Sequence, residues 1–299
     1  MGLTEWGLLV FLSILWGGSF FFSKVALAEL RPFSVVFMRV LLAAATLWLV
    51  LFLTQQAVPH SRKLWRLFFI MGALNNLIPF SLIFWGQTHI SSGLASILNA
   101  TTPLWAIILA HFYTADEKLT TNRFIGIICG VIGVAVMIGP DALSGSGGMT
   151  LLAQLAVIAG TFSYACSGIF GKRFQGIPPM VTATGQVSAT TIMMIPLVLW
   201  VDQPWLYSWP QLSTWGALAG LAILSTALAY IIYFRLLATA GATNLLLVTL
   251  LIPVSATLLG ITFLDETIAA QEIIGMGCIA IGLLVLDGRL FSIWRKNNR

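Results

Sequence analysis

The side chains in this sequence that could hold a solute are few, and most lie inside long apolar stretches. Arg39, Gln186, Asn75, Asn76, Asn99 and Asn244 supply the guanidinium and amide groups. Each asparagine offers two donors and one acceptor, enough to meet an amino group and a carboxylate together. Helix-to-helix hydrogen bonding is the plainer alternative for all four. Arg39 would attract a substrate carboxylate or form a gate ion pair with Glu29, but snorkelling toward the outer interface is its default reading. Trp16, beside Gly17 and Gly18, and Tyr164 offer flat rings, with Phe80, Trp105, Tyr230 and Tyr233 as weaker candidates. Such a wall would suit indole, phenyl or bipyridinium rings through stacking and cation–π contact, and packing against neighbours is the competing role. Pro103 and Pro253 each free a helix carbonyl and mark bent or broken segments, and Pro79 and Pro196 do the same elsewhere.

Other chemistry is missing from the pattern. No His-x-x-x-His or Cys-x-x-Cys spacing occurs, so no metal site and no cofactor are expected. His60 and His111 fall near one interface and His89 near the other. Cys129, Cys166 and Cys278 lie within apolar stretches as small apolar residues. A serine, aspartyl or metalloprotease centre would need facing groups at depth that are not found, so no catalytic residue is assigned.

These residues must be positioned by membrane helices. Of 299 residues, 59% are hydrophobic and only 8% charged, which excludes a water-soluble globule. Ten apolar runs of span length cover 5–26, 33–54, 65–86, 92–111, 122–139, 150–171, 179–201, 211–234, 243–263 and 271–290. Connections this short leave no room for a nucleotide-binding domain, so function rests with the helices. Runs that are apolar on all sides, such as 41–53 and 245–259, exclude barrel strands. The fold class is therefore all-α integral membrane, with ten transmembrane helices.

The net charge of +5 comes from basic residues scattered singly, an orientation signal and not a nucleic-acid surface. With the N-terminus inside, twelve of the fifteen Lys and Arg fall on the cytoplasmic side, among them Arg62, Lys63, Arg66, Lys118, Arg123, Lys172, Arg173, Arg235 and Arg289. Both termini are therefore expected in the cytoplasm. Ala26-Leu27-Ala28 resembles a signal-peptide cleavage site, but the preceding run is too long and lacks a leading positive charge. Trp6, Trp65, Trp200, Trp205, Trp209, Trp215 and Trp294 sit at span ends and read as an interfacial belt. Lys24 and Lys172 read as dipole partners and interface anchors where spans 1 and 6 end. Glu117 and Glu266 read as signals for the helix N-termini of spans 5 and 10.

An internal repeat organises the chain. Displacement by 149 residues superimposes Ile125-Gly126, Cys129 and Ile132-Gly133 on Ile274-Gly275, Cys278 and Ile281-Gly282, and Glu117 on Glu266. A shift of 148 pairs Lys24 with Lys172 and Trp16 with Tyr164; 150 pairs Pro103 with Pro253; 147 pairs Arg39 with Gln186. Each half, 1–140 and 141–299, holds five spans. An odd number inverts the second copy, giving two inverted-topology five-helix repeats of the kind that alternating access uses.

Leu15-Trp16-Gly17, Arg39 after Pro32, Pro103, Asp116-Glu117-Lys118-Leu119 and Asp265-Glu266-Thr267-Ile268 resemble the drug/metabolite transporter superfamily, in the form built from two EamA-like halves. Within it the sequence is most similar to YddG-type exporters of aromatic amino acids and methyl viologen. The resemblance implies spans 1, 3, 4, 6, 8 and 9 around a central cavity, with spans 5 and 10 peripheral. It implies a bacterial inner-membrane exporter of amino acids or related metabolites, with lipid and small molecules as its partners, and a monomer suffices. A lipid-modifying enzyme or scaffold would not need two equivalent halves, and a channel would show a charged ring or filter loop. All ten acids and all three histidines fall at span ends or in loops, which favours facilitated export over the proton exchange that the resemblance alone suggests.

Overall fold

A computed structural model describes residues 2–113, 120–139, 148–206, 208–245 and 247–287. The Asp116-Glu117-Lys118 motif, Asp141, Arg289 and Trp294 lie outside them. Ten spans follow one another: α1 Leu3–Leu27, α2 Pro32–Leu53, α3 Arg62–Gln87, α4 Ser92–Tyr113, α5 Thr121–Ile138, α6 Gly148–Phe174, α7 Pro179–Asp202, α8 Leu212–Ala240, α9 Val248–Phe263 and α10 Ala270–Asp287. The first eight are long and apolar enough to cross a bilayer. Helix α9 is shorter, with a helical turn at Ala242–Leu245 before it. Helix α8 runs six residues beyond its expected end at 234, to Gly241, whose φ of 80° admits a glycine readily.

Local chemistry sets the helix starts. Pro32 and Pro179 open α2 and α7, where a missing N–H costs nothing. Ser91 caps α4 through its hydroxyl, which accepts from Leu94 N at 3.1 Å, and Thr120 caps α5 in the same way through Arg123 N at 3.4 Å. Helix α4 breaks after Asn99 and resumes at Thr102. Pro103, second in the new segment, has no N–H to donate back across the break. Pro253 instead lies inside α9, six residues along, so the two prolines sit differently in their helices.

The packing is two-fold. Helix α1 packs on α9 and α8, and α6 correspondingly on α4 and α3; α3 packs on α7, and α8 on α2. The pairs α2–α7, α4–α9 and α5–α10 join a helix to its own repeat partner. Exchange of the halves therefore preserves the main contacts, and five spans per half make equivalent helices antiparallel, which places the two-fold axis in the membrane plane. Local irregularities repeat as well. Gln55 and Gln203, 148 apart, end α2 and α7 in the left-handed region at φ 56° and 50°. Helix α3 widens into a π-helical stretch at Ala73–Leu77 and α8 at Gly220–Leu228. A third π turn, Val198–Asp202 in α7, holds the extra residue that changes the repeat offset from 147 at Pro32 and Pro179 to 148 at the two glutamines.

Helices α5 and α10 form a peripheral pair held by glycines. A Cβ on Gly282 would stand 2.7 Å from the Gly126 carbonyl, and one on Gly133 would stand 2.8 Å from that of Gly275. Close backbone approach through small residues is how membrane helices associate without a hydrophobic driving force. Their outer faces carry exposed Phe124, Ile128, Val131, Ile274 and Ile281, as lipid contact requires.

Candidate functional site

The site is built where α2 and α7, related by the two-fold, each meet the π-helical stretch of the opposite half. A π turn admits an extra residue and redirects the side chains that follow it. In α8 it lets the Thr226 hydroxyl donate five residues back to Leu221 O at 2.8 Å and accept from Arg39 Nε at 3.1 Å. In α3 it carries Asn75, whose amide donates to Gln186 Oε1 at 3.2 Å and to the Tyr230 hydroxyl at 3.4 Å. Arg39 of α2 and Gln186 of α7 are repeat equivalents, and each bonds a side chain in the π-helical stretch of the opposite half. Ser167 of α6 donates to Asn75 Oδ1 at 3.0 Å, and Gln186 Nε2 lies 3.5 Å from the Tyr230 hydroxyl.

Arg39 is 5% exposed, so snorkelling toward the interface is incorrect. Its guanidinium carbon lies 3.8 Å from the Phe80 ring centroid and 5.7 Å from that of Phe84. Among the described residues, the ionisable groups near it are Tyr164 and Tyr230. The pairing of Arg39 with Glu29 is not formed, because the Glu29 carboxylate accepts from Gln211 N at 2.8 Å and Thr214 Oγ1 at 2.7 Å. Tyr164 meets Phe80 edge-on at 6.4 Å. Tyr230 accepts two hydrogen bonds, and its own proton is left to donate. Both tyrosines and Asn75 stay partly exposed in mid-chain helices.

Arg39, Asn75, Phe80, Tyr164, Gln186 and Tyr230, all anticipated from sequence, therefore form one cluster. Asn76 is fully buried beside it and donates to Thr190 Oγ1 at 3.2 Å. Trp16 lies on its flank, its ring 5.6 Å from Tyr233 and not against Tyr164. Asn99 Oδ1 and Trp105 Nε1 are buried without a partner among the described residues, and Trp105 packs edge-on against Phe162. Asn244 falls in the turn before α9 and donates to Ala240 O at 2.7 Å, so its amide serves the local backbone. Gly17 lets α1 close on α9, since a Cβ there would run into Ser255 Oγ and Ala256 N; Gly18 meets only ordinary contacts. Thr226, Phe84 and Ser167 went unseen in the sequence, although Thr226 lies 150 residues after Asn76, the offset that pairs the prolines.

The end carboxylates also differ from expectation. Glu266 does not cap α10; Glu272 does, accepting from Ala269 N at 3.1 Å. Glu266 reaches back to α4 and accepts from Ser92 N and Ser92 Oγ, both at 2.7 Å. Lys24 anchors the end of α3, donating to Gln87 O at 2.6 Å and Ile90 O at 2.8 Å.

A two-fold helical bundle with polar and aromatic groups at the seam of its halves defines a membrane transporter. The EamA-like transporter family model matches residues 5–139 and 151–286, and the chain belongs to that family. Over 278 residues it is 22% identical to the transporter YoaV of Bacillus subtilis, covering 93% of this chain and 94% of YoaV. It is 27% identical to protein PecM of Dickeya dadantii over 290 residues, 94% and 92% of the two chains. It is 25% identical over 299 residues to YedA of Escherichia coli K12, described as an inner membrane transporter, covering 97% and 93%. A crystal structure with 18% identity superimposes with a TM-score of 0.67 over 93% of this chain and 96% of the other, and shares the fold. The protein is thus a multi-pass membrane transporter, surrounded by lipid and acting on small molecules.

Proposed function

We propose that the protein exports amino acids, aromatic ones preferred, and related carboxylate-bearing metabolites by alternating access, without obligatory proton exchange. The burial of Arg39, with no carboxylate paired to it among the described residues, carries this reading. Taking a guanidinium out of water costs several kcal/mol after relaxation. One hydrogen bond to Thr226 and a cation–π contact, worth about 2 kcal/mol when desolvated, leave part of that cost standing. An anion arriving beside Arg39 would remove it. The Tyr164 and Tyr230 hydroxyls would donate to the same carboxylate, and Asn75 and Gln186 would recognise the amino group.

The rings of Phe80, Tyr164 and Trp16 supply the surface for an aromatic side chain. Segments 1–140 and 141–299 would be the units that exchange conformations, with Gly17, Gly18 and the bends at Pro103 and Pro253 as compliant points. The basic loop residues favour cytoplasmic termini in a bacterial inner membrane; in intact cells, cysteines introduced beside residue 173 should resist impermeant reagents. The deciding experiment is counterflow in liposomes loaded with phenylalanine. Exchange is expected with aromatic amino acids and not with their decarboxylated amines. Equal exchange of both would overturn the assignment of Arg39 to the carboxylate.

A further inference from the structure

Three carboxylates on the face opposite the termini share one arrangement. Glu29, where α1 ends, accepts from Gln211 N and Thr214 Oγ1 at the start of α8. Asp202, where α7 ends, accepts from Ser34 N at 2.6 Å and Ser34 Oγ at 2.8 Å in the first turn of α2. Glu266, after α9, takes Ser92 N, Ser92 Oγ and Gly93 N at the start of α4. Each carboxylate belongs to one half and each helix start to the other. None caps its own neighbour in sequence, as an ordinary capping residue does.

The chain bends to permit the third contact. Asp265 adopts φ 53°, which turns Glu266 back over α9, and Gly260 is bare beneath it, where a Cβ would meet the Glu266 carboxylate and Ser92 Oγ. A cleft of about 470 Å³ lined by Lys24, Glu29, Gln211, Thr214, Leu264 and Glu266 joins the first and third contacts.

The repeat supplies the contrast. At the offset of 148 the equivalents of Glu29 and Asp202 on the terminus face are Ile177 and Thr54. Among the described residues the seam there is apolar, with Phe68 stacked on Phe174 at 5.6 Å and packed with Leu51, Leu64 and Val181. The fold is two-fold, but among the described residues Glu29 and Asp202 have no carboxylate at their equivalent places, while Glu117, the equivalent of Glu266, lies outside the described residues.

We infer that Glu29, Asp202 and Glu266 are gate latches: positioning residues that hold the face opposite the termini closed by capping helix N-termini across the two halves. The latches rest on the alternating-access reading, because a closed face matters only if it opens. Each bond lets the partial positive charge of a helix start meet a full negative charge, and separating the halves breaks it. Opening at this face breaks the bonds of all three carboxylates, whereas the described residues of the terminus-face seam, Phe68, Phe174, Leu51, Leu64 and Val181, part along apolar packing. The closed-outside state is therefore the resting one, and the substrate must compensate for the latches when it drives exchange.

Electron–electron distance measurements on the full-length chain in liposomes test this, with spin labels at Thr88 and Ser213, exposed on the two halves at this face, after Cys129, Cys166 and Cys278 are replaced by alanine. The wild type should give one short distance, with a longer one gaining population when phenylalanine is added. Glu29→Gln, Asp202→Asn and Glu266→Gln should each raise the longer population about fivefold without substrate, and Asp202→Glu should leave it low. Thr54→Asp, which plants a carboxylate at the equivalent place on the other face, should raise it with every latch intact and covers the case of a latch variant that does not fold. A longer distance that responds to phenylalanine but not to these substitutions overturns the latches and leaves alternating access standing. One unchanging distance in a protein that still transports overturns both.

Discussion

The Arg39 guanidinium carbon lies over the Phe80 ring, 3.8 Å from its centroid, and its repeat equivalent Gln186 is bound by the neutral amide of Asn75. Two equivalent places in a two-fold bundle thus hold one charged and one neutral group. A symmetric scaffold therefore carries an asymmetric pair of side chains.

Arg39→Met should separate stability from function. Replacing a buried charge with an apolar side chain of similar volume is often neutral or stabilising by about 1–4 kcal/mol, so the melting temperature in detergent should hold or rise. Phenylalanine counterflow should fall at least tenfold. A variant that melts early and transports normally would make Arg39 a structural residue.

The α5–α10 seam makes an opposite prediction. A Cβ on Gly275 would meet Met137 Cγ and come within 2.7 Å of the Gly133 carbonyl, which is backbone and cannot swing aside. Gly275→Val should lower stability by about 1–3 kcal/mol, read as an earlier thermal transition. Gly277, with nothing within 4 Å, should tolerate alanine with no such shift.

Much of this arrangement could be read from residue order. Ten spans and the repeat were visible because bilayer length and backbone satisfaction leave a helix few alternatives. The cluster was largely visible because polar residues are rare at such depth. Arg39 was misread, since snorkelling and burial look alike until the position of Phe80 is known. Glu266 was assigned to the nearest helix start, yet its partner Ser92 is 174 residues away and reached only through the α4–α9 pairing. Thr226 was missed because a π turn leaves no plain mark in a run of apolar residues.

Trp16 tests the aromatic preference. Its ring packs at 5.6 Å and 44° on Tyr233, beside the cluster. Trp16→Ala removes about 1 kcal/mol or more of ring contact from a bound aromatic substrate. Competition assays should show a fivefold or larger loss for phenylalanine and tryptophan and a small one for threonine. Equal losses would place Trp16 outside the site.

Energy coupling is the remaining prediction, and it turns on where the acids are. A proton carrier within the membrane needs a carboxylate or imidazole that meets the transport path and is free to change charge. Glu29, Asp202 and Glu266 are each engaged with a helix start, and Glu272 caps α10. His89 is exposed, within 2.7 Å of the Thr88 hydroxyl. The Arg39 cluster contributes tyrosine hydroxyls and amides, none of which cycles its charge near neutral pH. A pH gradient across liposomes with equal phenylalanine on both sides should therefore drive no net accumulation. Uphill accumulation that disappears in Glu272→Gln would identify that carboxylate as a proton carrier and make the protein an exchanger.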